Sequence, residues 1–163
     1  MHDLQVSARE GRDCCKQIIM WPKQWKSFGC VINNPWQSVK YERRNLEQLP
    51  EIPGVYVFVA KPGIANLSDC NYLLYIGKAE DQTLKKRCKQ YLNEKRKKKP
   101  RVHILDMLEN WSDHLFLYYI TVDPVSNAST PSEVEAGLLA AFMPPMNRQL
   151  PGKLNRIRES IYR

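Results

Sequence analysis

The sequence contains few of the residues that build a structural metal site or a disulfide framework. It has three histidines and five cysteines, and no two cysteines form a C-x-x-C pair. The cysteines are Cys14, Cys15, Cys30, Cys70 and Cys88. An odd number of cysteines without zinc-binding spacing is typical of free thiols in a reducing compartment. We therefore expect a cytoplasmic protein whose cysteines do not hold the fold together.

Long apolar runs and an excess of acidic residues are also missing. The N-terminus lacks the uninterrupted apolar stretch of a signal peptide, and no run is long enough to span a bilayer, so no membrane partner is expected. The chain has 25 Lys and Arg against 17 Asp and Glu, a formal net charge of +8. This balance favours a polyanionic partner over a neutral small molecule, although a solvated basic face gives the same composition.

The chain is long enough for one globular domain and divides into three regions. It has 163 residues, of which 43% are hydrophobic, so a packed core is expected. Residues 1–50 form a polar N-terminal extension that is either structural or DNA-contacting. Residues 51–150 form a compact, strongly patterned domain. Residues 151–163 form a basic C-terminal tail.

Within the patterned domain the spacing of apolar residues predicts strand, strand, helix, helix, strand and helix. The strands fall at 55–59, 73–76 and 114–122, and the helices at about 82–97, 103–110 and 131–143. The first two strands fit an antiparallel pair. The third is almost continuously apolar, as expected for a strand covered on both faces. The fold class is therefore mixed α/β (α+β).

Arg87 stands apart from the basic residues around it. The default interpretation of such a run is a solvated face. At 100° per residue, however, Arg87 lies about 60° from Leu84, on the edge of the apolar stripe formed by Leu84, Cys88 and Tyr91. An arginine at the margin of a core can be held rigidly against a phosphate, whose oxygens suit its two-pronged donor geometry.

Glu135 is the most informative carboxylate in the sequence. Ser132, three residues earlier, could form a capping box with it. A competing box uses Thr130 as the cap and Glu133 as its partner, with Pro131 at the first helical position. The preference of proline for that position favours the second box, which leaves Glu135 uncommitted.

The helical wheel also places Glu135 in an apolar environment. It falls within about 40° of Leu139 and Phe142. A carboxylate in the middle of an apolar face is costly to bury without a cation or a hydrogen-bond partner. A divalent metal would supply that partner, and magnesium is commonly held by only one or two carboxylates together with water and substrate oxygens.

Together these residues resemble the pattern of the GIY-YIG nucleases. In order, the chain carries Gly54-Val55-Tyr56, Tyr75-Ile76-Gly77, Arg87, Glu135 and Asn147. The resemblance covers roughly residues 50 to 150 and is nearest to the N-terminal nuclease domain of the bacterial excinuclease. That domain's pattern also matches Lys78 and Tyr91. The chain departs from it by extra length around 82–83.

The resemblance implies a GIY-YIG fold, with a small three-stranded, largely antiparallel sheet flanked by helices. It implies an endonuclease that hydrolyses DNA phosphodiester bonds with one Mg²⁺ or Mn²⁺. Glu135 would bind the metal, Tyr56 would activate the attacking water and Arg87 would bind the scissile phosphate. Tyr75, Lys78 and Tyr91 would orient water and phosphate, whereas Gly54, Gly77 and Asn147 would support the site.

A lysine-rich segment beside the matched residues is a candidate contact for nucleic acid, with double-stranded DNA as the expected partner. Its candidate residues are Lys85, Lys86, Lys89, Lys95, Arg96 and Lys97. The simpler alternative is a solvated helix end. The sequence does not distinguish a restriction, repair or mobile-element role. It also leaves the oligomeric state open, although a homodimer would allow one site per chain to cut both strands. The alternative function is a non-catalytic nucleic-acid-binding module that retains the nuclease fold.

Overall fold

A computed structural model describes residues 15–67, 69–122 and 129–161 of the chain. Residues 1–14 of the N-terminal extension, including Cys14, and the last two residues of the basic tail lie outside the described residues. The sheet is antiparallel and has four strands, in the order β1-β4-β2-β3. They are β1 (Gln37–Lys40), β2 (Gly54–Ala60), β3 (Tyr72–Ala79) and β4 (Leu115–Thr121).

The mixed α/β class is confirmed, and so is the antiparallel pairing of the first two predicted strands, which are β2 and β3. The predicted number of strands was wrong, because the structure has one more than the three that were expected. The additional strand is β1, which pairs antiparallel with β4 from within the N-terminal extension. Its sequence, Gln-Ser-Val-Lys, contains a single apolar residue and therefore carries no periodic signal.

Helices cover the sheet and connect its strands. The α-helices of the described residues are α1 (Pro22–Trp25), α2 (Leu84–Gln90), α3 (Val102–Asn110), α4 (Pro131–Phe142) and α5 (Leu154–Ile161). The single helix expected at 82–97 is instead α2 followed by a tighter 3-10 helix, Tyr91–Arg96. The tighter winding accompanies an inward-facing Glu94, which is fully buried. No α-helix of the described part has the length and apolar character needed to cross a membrane.

Strand β2 is buried on both faces. Strand β4, for which the sequence predicted the same, is buried on one face and only partly covered on the other, at Phe116 and Tyr118. On one face, Tyr56 and Phe58 of β2 pack with Leu84 and Cys88 of α2 and with Ile104 of α3. On the other face, a second apolar cluster joins the sheet to α4. It contains Val55, Val57, Ile120, Val134 and Leu138, with Trp21, Phe28 and Ile32 of the N-terminal extension packed against it. The described part of that extension therefore contributes both a strand and core packing.

Candidate active site

Strands β2 and β3 bring the two tyrosine motifs side by side. Tyr56 of β2 lies directly opposite Gly77 of β3 in the strand register. A Cβ atom at position 77 would lie 2.5 Å from the hydroxyl oxygen of Tyr56, a separation that real contacts do not reach. At Gly54, a Cβ atom would lie 2.1 Å from the carbonyl oxygen of Ile120. Both glycines therefore make room, one for the Tyr56 side chain and the other for the approach of β2 to β4.

The hydroxyl groups of Tyr56 and Tyr91 are buried together beside Arg87. The hydroxyl oxygens of Tyr56 and Tyr91 are 2.6 Å apart, and Arg87 Nε donates a hydrogen bond of 3.1 Å to the Tyr56 hydroxyl. Tyr56 and Tyr91 are buried, with 0% and 1% of their surface exposed. Burial raises the pKa of Tyr56, and the charge of Arg87 offsets only part of that rise. Burial also raises the pKa of Tyr91, so both phenols are held neutral near pH 7.

Arg87 occupies the position that the helix geometry predicted. Leu84 and Cys88 are fully buried, whereas Arg87 is half-buried at the edge of their stripe. Its Nη1 donates to Gln90 Oε1 at 3.3 Å, and Gln90 Nε2 donates to Gln82 Oε1 at 2.7 Å. The guanidinium also lies 5.6 Å from the ring centre of Tyr91. These contacts fix its orientation, as bidentate binding of a phosphate requires.

Lys78, near the end of β3, bridges two carboxylates. Its Nζ lies 2.9 Å from Glu80 Oε2 and 3.9 Å from Glu135 Oε2, and it also donates to Ser132 Oγ. Ser132 Oγ in turn donates to Glu80 Oε2 at 2.5 Å. The sequence motif does not include Glu80. Glu80 directly follows the end of β3, and its place two residues after Lys78 was the signal that could have identified it, because alternate residues of an extended chain share a face.

The capping box that leaves Glu135 uncommitted is confirmed. Thr130 Oγ1 accepts from the Glu133 amide, and Glu133 Oε2 accepts from the Thr130 amide at 2.7 Å. The side chain of Glu135 is 22% exposed. Burial raises its pKa above the ordinary value, and the positive charges of Lys78 and Arg87 reduce that rise without cancelling it. An additional cation is therefore favoured beside this carboxylate.

The prediction that Glu135 lies in the middle of an apolar face was wrong. Of the two apolar residues expected beside Glu135, Leu139 is buried but Phe142 is 41% exposed. The other buried residues of α4 are Pro131, Val134, Leu138 and Ala141. The sheet packs against the stripe that begins one residue before Glu135, so Glu135 projects from its margin. This margin borders solvent, where a carboxylate can meet both a metal ion and water.

Four of the six predicted catalytic side chains line one cavity of about 250 Å³. They are Tyr75, Lys78, Arg87 and Glu135, and Gly77 and Glu80 complete much of the wall. The other two, Tyr56 and Tyr91, lie behind Arg87 in the core. Tyr75 is partly exposed, and burial raises its pKa too. The cavity combines two cations, a phenol and three carboxylates, which belong to Glu80, Asp81 and the half-buried Glu135.

Asn147 fixes the segment that follows α4 to the outer edge of β3. Its Oδ1 accepts from the Ile76 amide at 2.9 Å, and its Nδ2 donates to the Ile76 carbonyl at 2.8 Å. The amide of Met146 donates to the Leu74 carbonyl at 3.0 Å, which extends this pairing along the strand. Asn147 is 7% exposed and does not line the cavity that holds Lys78 and Arg87. Its role in the structure is to support the strand that carries Tyr75 and Gly77.

Most of the candidate phosphate-binding lysines are paired with carboxylates. Lys85 and Lys89 contact Glu47 at 3.8 and 2.7 Å, and Lys85 also contacts Glu51 at 3.1 Å. The other ion pairs of this set are Lys95 with Glu109 at 2.8 Å and Lys97 with Glu94 at 2.7 Å. Lys86 and Arg96 are exposed, and neither has an ion pair among the described residues. The positive field of this segment is thus weaker than the sequence alone suggested.

The donor set suits a magnesium or manganese ion that keeps most of its water ligands. The described residues contain no group of three or more His, Cys, Asp or Glu side chains placed to bind a metal. Glu135 offers one carboxylate, Glu80 a second nearby, and the cavity has space for water molecules. Magnesium is often bound in this way, through one or two carboxylates together with water and substrate phosphate.

Comparisons with known proteins returned no match, whether to a family model, a curated protein or a solved structure.

Proposed function

We propose that this chain is a metal-dependent endonuclease that hydrolyses phosphodiester bonds in DNA, and that it is a member of the GIY-YIG nucleases it resembles. The observation that carries the proposal is the shared cavity of Tyr75, Lys78, Arg87 and Glu135. These residues come from strand β3 and from helices α2 and α4, and their order along the chain follows the family pattern. A half-buried carboxylate with a raised pKa, in a cavity beside two cations, is typical of functional sites.

Each side chain has a role that its contacts suit. Arg87, oriented by Gln90 and by the Tyr56 hydroxyl, binds the scissile phosphate and opposes the charge that grows on it. Lys78 binds a second phosphate oxygen or the leaving oxygen. Glu135 holds the Mg²⁺ or Mn²⁺ ion. That ion, when bound, stabilises negative charge on the phosphate oxygens.

We assign the proton-accepting role to Tyr75. Because burial raises its pKa, this role requires the positive charges of Arg87 and of a bound metal ion to favour the phenolate. The family pattern gives that role to the first tyrosine, here Tyr56. The Tyr56 hydroxyl, however, is fully buried and lies between Arg87 and Tyr91, so it has no direct access to the cavity. Tyr75 lines the cavity and is partly exposed. A general base must lie within hydrogen-bond reach of the water it activates. Tyr56 then acts by positioning Arg87.

The test is cleavage of supercoiled plasmid by the full chain with Mg²⁺, with Mn²⁺ or with EDTA. We expect nicking or linearisation that needs the metal and disappears in Glu135→Gln. Glu159→Gln is the matched control, because it removes the same charge from an exposed position on α5. Linear duplexes and RNA run alongside distinguish DNA from RNA cleavage.

One outcome would favour the alternative function. If varied DNA substrates are bound in a salt-sensitive manner but never cut, and Glu135→Gln changes nothing, the chain is a nucleic-acid-binding module and not a nuclease.

A further inference from the structure

A second cavity, of about 580 Å³, adjoins the candidate active site. Tyr75 and Glu135 line both cavities, so the two meet at these side chains. Apart from Asn147, the other residues that line the second cavity are not part of the family pattern, and they include Arg101, His103 and Arg148. Its wall therefore carries two guanidinium groups and an imidazole.

Arg101 is held in a fixed orientation. Its Nε and Nη2 donate to the two carboxylate oxygens of Glu94 at 3.1 and 2.7 Å, and its amide donates to Glu94 Oε1 at 2.9 Å. The guanidinium lies 4.9 Å from the ring centre of Tyr91. These bonds use Nε and Nη2, and Nη1 has no hydrogen-bond partner among the described residues. An arginine fixed in this way loses little entropy when it binds an additional anion.

Arg148 provides a second positive charge on a well-anchored backbone. It follows Asn147, whose side chain makes both hydrogen bonds to Ile76, and its own carbonyl accepts from Arg158 Nη2 at 2.9 Å. The side chain is exposed, and within the described parts of the chain no carboxylate forms an ion pair with it. Its charge is therefore available to a ligand in the cavity.

His103 adds an imidazole to the wall of this cavity. Its Nδ1 is buried and has no hydrogen-bond partner within the described residues. Burial lowers the pKa of His103, and the charges of Arg148 and Arg101 lower it further. A buried imidazole nitrogen without a partner is costly, unless a ligand or water supplies one. Two guanidinium groups and this imidazole thus line one space, next to the carboxylate proposed to hold the metal.

We propose that this cavity binds a phosphate group of the nucleic-acid strand adjacent to the phosphate that is cut. The inference rests on the proposed function, because it places the substrate strand across both cavities. Arg101 and Arg148 donate to the phosphate oxygens, and the His103 ring lies beside them in the cavity wall. Arginine suits a phosphate because it offers paired, charge-assisted donors in one plane. The subsite positions the strand and carries no base specificity.

The first test measures binding, in EDTA, of a fluorescently labelled DNA duplex by fluorescence anisotropy between about 50 and 200 mM KCl. Arg148→Gln is expected to weaken binding several-fold and to reduce the slope of log K against log salt by about one. The matched control is Arg156→Gln, an exposed arginine on α5 that does not line the cavity. Equal losses of affinity in the two variants would overturn the subsite.

The second test follows the His103 ring by NMR while a short oligothymidylate is added in EDTA. We expect the ring resonances to shift in the wild type and in Arg156→Gln, and not in Arg148→Gln. Resonances that stay fixed while the oligonucleotide binds would overturn the subsite. Because the Arg148 side chain is exposed, the melting temperature of Arg148→Gln should match the wild type, which verifies that the variant is folded.

Neither test requires cleavage, so failure of the subsite and failure of the proposed function are distinguishable. A chain that cuts DNA but loses equal affinity through Arg148→Gln and Arg156→Gln is a nuclease without this subsite. A chain that never cuts but passes both tests keeps the phosphate site and loses the nuclease function.

Discussion

The hydroxyl oxygen of Tyr56 lies 2.6 Å from that of Tyr91, and neither tyrosine reaches solvent. Arg87 donates to the same Tyr56 oxygen, so the phenol is enclosed by two partners. Hydrogen bonds within such a group strengthen one another in a low-dielectric core and hold their members in one geometry. The buried pair therefore supports Arg87, and under the proposed function the chemistry falls to the groups that line the cavity.

The two tyrosines should lose activity in different ways. Tyr75→Phe removes the proposed proton acceptor and should lower kcat by roughly 10²- to 10⁴-fold, with little change in KM. Tyr56→Phe removes the acceptor for Arg87 Nε and should mainly raise KM, because the phosphate-binding guanidinium loses its support. Steady-state cleavage of a defined oligonucleotide duplex measures both constants.

The pH dependence provides the matching control. Burial raises the pKa of both tyrosines, so the ionised fraction of either rises with pH across the range in which the protein can be assayed. The cleavage rate should therefore rise with pH in the wild type. If the rise disappears in Tyr56→Phe and persists in Tyr75→Phe, the assignment of the base is wrong.

Gly77→Ala should damage the site through sterics alone. The added Cβ would lie 2.5 Å from the Tyr56 hydroxyl and 2.6 Å from the Cζ atom that carries it, so the ring must move. Overpacking of this kind typically costs about 1–3 kcal/mol of stability, and here it also disturbs the support of Arg87. Urea unfolding and the cleavage rate should both decline. Gly29→Ala is the control, since a Cβ there meets nothing within 4 Å and should leave both measurements unchanged.

The sequence predicted the parts of this molecule that depend on local periodicity. The three apolar strands, the buried stripe of α2 and the Thr130–Glu133 capping box all follow from spacing within one element. Arg87 was correctly located at the margin of its stripe for the same reason. A side chain's position within an element is set by dihedral geometry, which the sequence pattern expresses directly.

Features that depend on partners outside their own element could not be predicted in this way. Strand β1 is held by its pairing with β4, about 80 residues away along the chain, and its own residues carry no pattern. Glu94 and Lys97 belong to a run that is typical of a solvated helix, yet Glu94 is buried because Arg101 and Lys97 both bind it. Tertiary contacts override local preference at these positions.

Glu94→Gln should destabilise the fold at neutral pH and not at low pH. Hydrogen bonds, chiefly from Arg101 and also from Lys97, hold the pKa of Glu94 at about 2, below its ordinary value of 4.5. A depressed pKa in the folded state contributes stability that is present above pH 4.5 and is lost as the pH falls toward 2. Arg101 and Lys97 stay 31% and 42% exposed, so we expect a loss of about 1–3 kcal/mol, below the value for a wholly buried pair.

Urea unfolding at pH 7 and near pH 3 measures that difference. The difference in the free energy of unfolding between wild type and Glu94→Gln should be smaller at the lower pH. Glu109→Gln is the control, because its pair with Lys95 is exposed on both sides and should contribute less than about 0.5 kcal/mol. A gap that is constant with pH would show that the carboxylate's ionisation does not stabilise the fold.

Added Mg²⁺ should reverse the order of stability between the wild type and Glu135→Gln. The pKa of Glu135 is raised in the folded state, chiefly by burial, so its ionisation at pH 7 costs stability in the absence of metal. The protonated carboxyl group of Glu135 stabilises the fold below the pKa that it has in the unfolded chain. This stabilisation is lost as the pH rises through the pKa of the folded state. In EDTA at pH 7 the glutamine variant should therefore melt at a higher temperature than the wild type.

Added Mg²⁺ should stabilise the wild type but not Glu135→Gln. The expected gain for the wild type is about 2.7 kcal/mol when the metal reaches 100 times its dissociation constant. The variant lacks the carboxylate and should gain nothing, so the wild type becomes the more stable protein. Glu159→Gln, which removes an exposed charge, should respond to Mg²⁺ as the wild type does. Equal stabilisation of Glu135→Gln by Mg²⁺ would remove Glu135 as the metal ligand. A lower melting temperature for Glu135→Gln in EDTA would instead mean that the ion pair of Glu135 with Lys78 in the wild type outweighs the cost of burying the carboxylate. That contact is the main attraction that the substitution removes.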